Sequence, residues 1–197
     1  MQAILEKDRD TICALSTPQG SGGISVIRIS GDRALEVAKK LCTNLPEKLT
    51  SHCIYLCKIH ELHTKREIDE ILLSYFAHGK SFTGEETVEI SCHGSQFISQ
   101  KIVNELLQAG CRHAEKGEFT YRAFINDKLD LIQAESILNL IESQSQRTAN
   151  QALRQLKGDL SKNISILEED LLVIGAHLEA QIDFVEQDIE PEDQYAL

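Results

Sequence analysis

The sequence predicts an α+β domain with a mixed sheet over residues 1–126, followed by an all-helical segment over residues 127–197. The charge changes at this boundary: residues 1–126 contain 15 Lys and Arg against 16 Asp and Glu, whereas residues 127–197 contain 5 against 15. Nine of the eleven glycines also precede it. The apolar pattern changes there from short β-branched runs to helical spacing. These three observations indicate a loop-rich domain followed by a loop-poor, acidic one.

Short apolar runs, several of them alternating with polar residues, predict the strands of the first domain. The predicted strands cover residues 11–16, 23–30, 52–61, 68–78 and 87–92. Helical periodicity predicts helices over residues 31–42 and 96–109, and Gly110 ends the second. Strands interrupted by two or three helices are typical of a layered α/β or α+β fold, not of a helical bundle.

The last third of the sequence predicts two long helices. The first covers the apolar positions between residues 134 and 156 and ends at Gly158, and Asp159 is a suitable N-cap for the second. Apolar residues of the second helix follow spacings of 4, 3, 4, 3 and 4 from Leu160 to Leu178. This heptad-like seam predicts an antiparallel hairpin, the start of an incomplete helical domain. Packing within the chain is the simpler interpretation of the seam, and a dimer or partner surface is the alternative.

Composition argues against several classes of protein. No run of about 18 apolar residues is present, which argues against a transmembrane helix, and we expect no contact with a membrane. The first residues lack the basic and apolar regions of a signal peptide. We therefore expect a cytoplasmic protein whose six cysteines are free thiols. A net charge of −11 argues against broad binding of a nucleic-acid backbone by this chain.

Four potential metal ligands lie close together in the sequence: Cys53, Cys57, His60 and His63. If residues 53–57 form a strand, Cys53 and Cys57 are separated by about 13 Å, which is too far for two sulfurs on one zinc ion. The motif also lacks the long spacer that normally separates pairs of zinc ligands. We therefore predict no metal site.

Two further motifs resemble catalytic or nucleotide-binding sites. Residues 79–81 resemble the end of a phosphate-binding P-loop, but Ser74 stands where that loop requires its first glycine. Cys92 and His93 are adjacent, and neighbouring residues of a strand point to opposite faces, which argues against a thiol–imidazole pair. The sequence therefore predicts no catalytic residue.

Three polar side chains in separate clusters are the candidate binding residues. Arg28 lies in an otherwise apolar strand, so its guanidinium must find an anion or another acceptor. If Val88 and Ile90 face the core, Glu89 projects from the other face of the sheet. Lys128 lies at the domain boundary, where ligand pockets often form. The pattern alone leaves open that all three are ordinary surface or salt-bridged groups.

Five segments carry a resemblance to a known family. They are residues 22–31; Phe82-Thr83-Gly84-Glu85-Glu86 with Glu89 and His93-Gly94; Gly117-Glu118-Phe119 with Arg122-Ala123-Phe124; residues 126–131 with Gln133-Ala134-Glu135; and Ile182-Asp183-Phe184. In this order they resemble the tRNA modification GTPase MnmE family, also called TrmE, from about residue 10 to about residue 190. The resemblance covers only the front of the family's sequence, so we expect an N-terminal fragment without the GTPase domain.

The resemblance implies a specific fold and function. The family's N-terminal domain is similar to the folate-binding domains of one-carbon enzymes, binds a tetrahydrofolate derivative (5-formyl or 5,10-methylene) and forms a homodimer. With the flavoprotein MnmG, the full-length protein modifies carbon five of the wobble uridine of tRNA, and the folate supplies the one-carbon unit. The family's GTPase cycle depends on potassium, so potassium and magnesium are expected with GTP only in the missing GTPase domain.

The resemblance also assigns the binding residues. Matched motif by motif, the family's folate contacts fall on Arg28, Glu89 and Lys128. We expect GTP hydrolysis from the full-length protein, contact with tRNA through the full complex, and no activity of this chain alone. A dimerisation or partner-recruitment module without ligand chemistry is the alternative function.

Overall fold

Two units make up the computed structural model, which describes residues 10–183. Within these residues, the first unit ends at Asp130 and contains a mixed sheet with three helices, and the second begins at Leu131 and is entirely helical. This confirms the predicted α+β fold followed by a helical domain. The sequence places the domain boundary after residue 126, whereas the first unit also includes residues 127–130.

Seven described strands form the sheet, in the spatial order β3-β4-β5-β6-β2-β1-β7. They are β1 (Ile12–Leu15), β2 (Ile24–Ser30), β3 (Cys42–Thr43), β4 (Cys53–His60), β5 (Glu67–Phe76), β6 (Thr87–His93) and β7 (Arg112–His113). Neighbouring strands are antiparallel except β1 and β7, which are parallel. The five longer strands match the predicted ones to within two residues at each end. The sequence does not predict β3 and β7, because two residues are too few to show a period.

One face of the sheet packs against helices and forms the core. Ile27 and Ile29 of β2 are fully buried there and lie opposite Ile90 and Val88 of β6. The helices of this unit are α1 (Ala34–Leu41), α2 (Gln96–Gln108) and α3 (Glu118–Ile125), of which α1 and α2 contribute buried residues to the same core. Burying a Val, Leu or Ile side chain contributes about 1.5–3 kcal/mol. Apolar contact on this face therefore stabilises the sheet that positions the opposite face.

The opposite side of the sheet is called here the outer face. On β2 and β6 it carries Ile24, Val26, Arg28, Ser30, Thr87, Glu89, Ser91 and His93. One end is closed, since Ser30 and Thr87 are at most 2% exposed, and the other is open, since Ile24 is 66% exposed. Arg28 and Glu89 lie where the closed end meets the open end.

A buried arginine holds α3 against the closed end. Arg122 is fully buried and donates to the carbonyl oxygen of Asp10 (2.7 Å), to Glu85 Oε1 (3.0 Å) and to Glu118 Oε1 (3.1 Å). Glu85 in turn accepts a hydrogen bond of 2.7 Å from Ser30 Oγ on β2. Separating one partner of a buried ion pair from the other strongly destabilises the folded chain. This network therefore fixes α3 relative to the sheet.

The described part of the second unit consists of α4 (Leu131–Ile141), α5 (Gln146–Leu156) and α6 (Asp159–Asp183). The prediction of one continuous helix over residues 134–156 is wrong, because α4 ends at Ile141 and a new helix begins at Gln146, with Ser145 as its N-cap. Ser145 Oγ accepts from the Thr148 amide (3.2 Å), and Thr148 Oγ1 accepts from the Ser145 amide (3.3 Å). This capping box starts α5, so two helices occupy the range of the first predicted helix.

Helix α6 leaves its apolar seam exposed. The six seam residues from Leu160 to Leu178 are 39–68% exposed. Packing within the chain, the simpler interpretation of the seam, is therefore not realised among residues 10–183. The family motif that begins at Ile182 continues outside the described residues. No helix among those that are described combines the length and the apolar character needed to cross a bilayer.

Candidate binding site on the outer face

Arg28 and Glu89 form an ion pair on the outer face. The strand register places the two residues directly opposite each other. Arg28 Nε and Nη2 lie 2.8 and 2.7 Å from Glu89 Oε1, and each side chain is about a quarter exposed. Two of the three predicted binding residues thus lie together, because opposite residues of antiparallel strands share a face.

Two aromatic rings flank the Arg28 guanidinium. Its Cζ lies 5.5 Å from the ring centroid of Phe82 and 5.5 Å from that of Phe119. Both distances are within the range of cation–π interactions. Phe82 lies between β5 and β6, and Phe119 lies in the first turn of α3. The sequence does not predict these rings as site residues, although both belong to the family motifs, because nothing in it brings α3 to β2.

Lys128 is tied to the segment that carries Phe82. Its Nζ donates to the carbonyl oxygen of Gly79 (2.7 Å). Gly84 has a φ of +79°, and a Cβ there would lie 3.3 Å from Lys128 Cγ and Cε and 3.1 Å from Asn126 Cβ. Asn126 Nδ2 also donates to the Thr83 carbonyl oxygen (2.7 Å). The structure therefore connects Lys128 to the Arg28 region through residues 79–84, without a hydrogen bond from Lys128 to Arg28 or Glu89 among the described contacts.

The glycine-rich turn before β2 contacts the end of β6. The Gly22 amide donates to the Gly94 carbonyl oxygen (2.9 Å), and the Gly94 amide donates to the Gly23 carbonyl oxygen (3.2 Å). A Cβ on Gly94 would overlap the Gly22 carbonyl group and lie 2.9 Å from the Ile24 nitrogen. Gly94 thus allows two backbone segments to approach closely beside the open end of the outer face.

Cys92 and His93 face opposite sides of the sheet. Cys92 is 3% exposed on the core side, and burial, with the nearby charge of Asp69, raises the pKa of its thiol to about 11. His93 is exposed, and its Nδ1 lies 2.7 Å from Asp69 Oδ1. The two residues therefore form no thiol–imidazole pair.

Glu118 connects α3 to β7. Arg112 Nη2 lies 2.6 Å from Glu118 Oε1, and the Glu115 amide donates to Glu118 Oε2 (2.6 Å). Burial disfavours the charged carboxylate, but hydrogen bonds from Arg112, the Glu115 amide and Arg122 outweigh that effect and lower the pKa of Glu118 to about 2. Glu118 is therefore ionised at neutral pH and balances two guanidinium groups.

The arrangement suits a planar, polar ligand. Glu89 can accept paired hydrogen bonds, and Arg28 and Lys128 can donate to carbonyl or carboxylate oxygens. Within residues 10–183, no three His, Cys, Asp or Glu side chains are grouped so that they could hold a metal ion.

Two family models match the chain. Residues 11–128 match the model described as GTP-binding protein TrmE N-terminus. Residues 131–197 match the model described as MnmE helical domain. The two matches together correspond closely to the two structural units.

Curated relatives are similar along most of the chain. The tRNA modification GTPase MnmE of Bdellovibrio bacteriovorus is 56% identical over 94% of this chain and 39% of its own length. The proteins of the same name from Christiangramia forsetii and Thermus thermophilus are 44% and 42% identical over 93% of this chain. The chain spans about 40% of the length of these relatives. It belongs to the family of the tRNA modification GTPase MnmE, and it corresponds to the TrmE N-terminal domain followed by part of the MnmE helical domain.

Proposed function

We propose that the first unit binds a reduced folate that carries a one-carbon unit, as a 5-formyl or 5,10-methylene derivative, through Arg28, Glu89 and Lys128. The ion pair between Arg28 and Glu89 carries this proposal. In this pair, the partly exposed carboxylate of Glu89 lies where the open end of the outer face begins. Strands β2 and β6 and the rings of Phe82 and Phe119 hold the pair in place.

Glu89 is suited to the aminopyrimidine edge of a pterin. That edge offers two adjacent N–H donors, a pattern similar to the two donors that Arg28 Nε and Nη2 direct at Glu89. The ligand would take the place of the guanidinium on Glu89, and Arg28 would then donate to the pterin carbonyl oxygen. Phe82 and Phe119 would keep the displaced guanidinium close to the ring.

Lys128 would complete the site from the closed end. Its ammonium currently donates to the Gly79 carbonyl oxygen, and rotation of this long side chain would let it reach a ligand oxygen near Phe82. Gly84 has no side chain, so it leaves the space beside the aliphatic part of Lys128 free for that movement.

The same proposal places this chain in a larger reaction. As part of a full-length tRNA-modifying GTPase in the cytoplasm, it would work with the flavoprotein MnmG on carbon five of the tRNA wobble uridine. Potassium and magnesium would act with GTP in a GTPase domain, and tRNA would bind through the full complex. The acidic segment over residues 127–197 supports weak tRNA binding by this chain itself, since it contains 15 acidic residues and only 5 basic ones.

The proposal includes a homodimer. Exposed apolar side chains on β4 support it, because Ile54 and Leu56 are 66% and 62% exposed on an antiparallel strand. Sedimentation equilibrium should give twice the chain mass at micromolar concentration. A monomer at all concentrations up to about 100 μM would contradict this part of the proposal.

A module that recruits partners without binding a ligand is the second candidate. The exposed seam of α6 favours it, because six apolar residues on one helix are accessible to another protein. Under this alternative, the folded protein shows no saturable folate binding.

Isothermal titration with 5-formyl-tetrahydrofolate separates the two candidates. We expect saturable binding and an affinity at least tenfold lower in Glu89→Gln, a change of about 1.4 kcal/mol. Glu67→Gln is the matched control, because Glu67 also lies on a strand and pairs with a cation, Lys58, away from the site. Equal affinities of wild type and Glu89→Gln would remove Glu89 from the site, and no binding by the folded wild type would favour the recruitment module.

A further inference from the structure

Two thiols of the core lie in contact where β1 meets β7. Cys13 of β1 is fully buried, and Cys111, which directly precedes β7, is 8% exposed. The strand register places Cys13 opposite His113, so Cys111 lies two positions away from His113 on the same side of the sheet. The Cys13 thiol is hydrogen-bonded to the Cys111 sulfur. Both cysteines are free thiols in this structure.

Main-chain hydrogen bonds hold the two thiols in place. The Arg112 amide, directly after Cys111, donates to the Thr11 carbonyl oxygen (2.8 Å). The Ala114 amide donates to the Cys13 carbonyl oxygen (3.0 Å). Because cysteine side chains are short, these two hydrogen bonds fix the separation of the sulfurs through the backbone.

Two cations at the start and end of α1 act on Cys111. A Cβ on Gly110 would lie 3.9 Å from both Nη1 and Nη2 of Arg33, which places this guanidinium beside the residue before Cys111. Lys40 is the second cation. Glu36 accepts from Arg33 Nε (3.0 Å) and pairs with Lys40 Nζ (2.7 Å). The three groups together therefore carry one net positive charge.

These surroundings make Cys111 the stronger acid of the pair. The hydrogen bond from Cys13 lowers the pKa of the Cys111 thiol, and the charges of Arg33 and Lys40 lower it further, whereas burial opposes them. The same hydrogen bond, together with burial, raises the pKa of the Cys13 thiol. Cys111 therefore loses its proton first, and the thiolate is the form of cysteine that reacts with oxidants.

We propose that Cys111 and Cys13 form a reversible redox site, in which a hydroperoxide oxidises Cys111 and Cys13 then converts the product to a disulfide. Cysteines that respond to oxidants commonly lie next to a second cysteine of this kind. The site is independent of the proposed function. Cys13 lies opposite Ile29 on the core side of the sheet, whereas Arg28 and Glu89 lie on the outer face.

The reaction balances as an oxidation of the two thiols by one hydroperoxide. The Cys111 thiolate attacks the terminal oxygen of the hydroperoxide, an S–O bond forms as the O–O bond breaks, and the departing alkoxide or hydroxide takes up the proton that Cys111 released. The Cys13 sulfur then attacks the Cys111 sulfur. The S–O bond breaks, and the hydroxyl group leaves as water with the Cys13 proton. The hydroperoxide is thereby reduced to an alcohol or to water.

A second pair of core thiols provides an internal comparison. Cys42 of β3 lies opposite Ile59, two positions from Cys57 on β4, and the thiols of Cys42 and Cys57 are hydrogen-bonded to each other. Cys42 is 8% exposed, as is Cys111. The hydrogen bond from Cys42 lowers the pKa of Cys57 and burial opposes it, without a cation that contributes among the described residues. The two pairs therefore match in contact and exposure but differ in nearby charge.

Peptide mapping after exposure to hydrogen peroxide tests the proposal. The folded chain is oxidised, its remaining thiols are blocked with N-ethylmaleimide in denaturant, and the chain is digested with trypsin. Cleavage after Lys and Arg places the cysteines in separate peptides: residues 10–28 with Cys13, 41–48 with Cys42, 49–58 with Cys53 and Cys57, and 102–112 with Cys111. We expect a disulfide between peptides 10–28 and 102–112 that dithiothreitol removes, before any disulfide joins peptides 41–48 and 49–58.

Two variants test the separate roles. In Cys13→Ser the disulfide cannot form, so Cys111 should be trapped by dimedone as the sulfenic acid. In Arg33→Gln we expect the oxidation of Cys111 to slow by about threefold or more, because a positive charge beside the thiolate is lost. Lys39→Gln is the matched control, because Lys39 is also a cation of α1 but donates to the Glu47 carbonyl oxygen. Its oxidation rate should equal that of the wild type.

Three results would overturn the proposal. The first is a folded wild type in which peptides 10–28 and 102–112 stay unlinked while the more exposed Cys53 is oxidised. The second is a disulfide between Cys42 and Cys57 that forms as fast as the expected one, since the assignment depends on the charge beside Cys111. The third is an equal rate of Cys111 oxidation in wild type, Arg33→Gln and Lys39→Gln. If Cys13→Ser does not fold, the wild-type peptide map and Arg33→Gln still decide.

Discussion

Gly94 lies against Gly22 so closely that a side chain at residue 94 would overlap the Gly22 carbonyl group. This contact joins the turn before β2 to the end of β6, and two backbone hydrogen bonds accompany it. The turn and the strand end both border the open part of the outer face.

We expect Gly94→Ala to lower the free energy of unfolding by about 1–3 kcal/mol, because the added methyl group must displace backbone. Chemical denaturation monitored by circular dichroism measures the change. Gly23→Ala is the matched control: a Cβ at Gly23 has no atom within 4 Å, so its effect should be within about 0.5 kcal/mol. Equal stability of Gly94→Ala and Gly23→Ala would show that the contact is not tight.

Stability should depend on pH through Glu118. The pKa of its carboxyl is about 2 in the folded chain, whereas the ordinary value is 4.5. The contribution of the ionised carboxylate to folding stability is therefore complete above about pH 4.5 and is lost as the pH falls to about 2. We expect Glu118→Gln to cost about 1.5–3 kcal/mol at pH 7, because it removes a charge that accepts from two arginines. Denaturation curves at pH 7, 4 and 2.5 measure both effects.

The difference between wild type and Glu118→Gln should shrink towards the acidic end of this range. Glu67→Gln serves as a control, since Glu67 and Lys58 form an exposed pair and the change should have little effect at any pH. A constant difference from pH 7 to pH 2.5 would mean that Glu118 acts through packing and not through its charge.

The two rings beside Arg28 should affect ligand affinity more than stability. Phe82 is 40% exposed, so Phe82→Leu removes little buried surface but breaks one cation–π contact. We expect the affinity for 5-formyl-tetrahydrofolate to fall roughly two- to tenfold, the range of such contacts. Phe97→Leu is the control, because Phe97 is 75% exposed on α2. If both variants bind equally well, Phe82 does not position Arg28 for the ligand.

Substitutions in the seam of α6 should have little effect on the folding stability of this chain. Leu171 is 68% exposed, so Leu171→Gln should change the melting temperature little. Ala152 on α5 is 2% exposed, so Ala152→Asp buries a charge and should unfold the second unit. Thermal melting followed at 222 nm measures both. A large destabilisation by Leu171→Gln that grows with protein concentration would show that a second copy covers the seam.

Much of the first unit follows from alternation in the sequence. Val88 and Ile90 face the core and Glu89 faces away, as the period of a strand requires, and Arg28 follows the same rule on β2. What alternation does not provide is the order of strands in the sheet. The contact between Arg28 and Glu89 depends on β2 and β6 being neighbours, and 61 residues separate the two side chains in the sequence.

The features that the sequence does not predict depend on single contacts, of which some are long-range and one is local. Helix α3 is short, and its position depends on the buried guanidinium of Arg122, which no apolar pattern reveals. The break before α5 depends on the capping box of Ser145 and Thr148, a local hydrogen-bonding choice that the continuous apolar spacing conceals. Lys128 falls beside Gly84 only because Gly84 adopts a positive φ and leaves room for it.

The anchoring of Arg122 to the main chain at Asp10 has a practical consequence for shortened forms of this protein. Because the acceptor is a carbonyl oxygen, no substitution of the Asp10 side chain removes it, but a chain that starts at residue 12 lacks it altogether. Such a truncation would leave Glu85 as the partner of Arg122 outside α3 among the described contacts, and would so weaken the anchoring of α3 and of the Phe119 ring beside Arg28. Versions trimmed for crystallisation should therefore retain Asp10 and place any affinity tag before it.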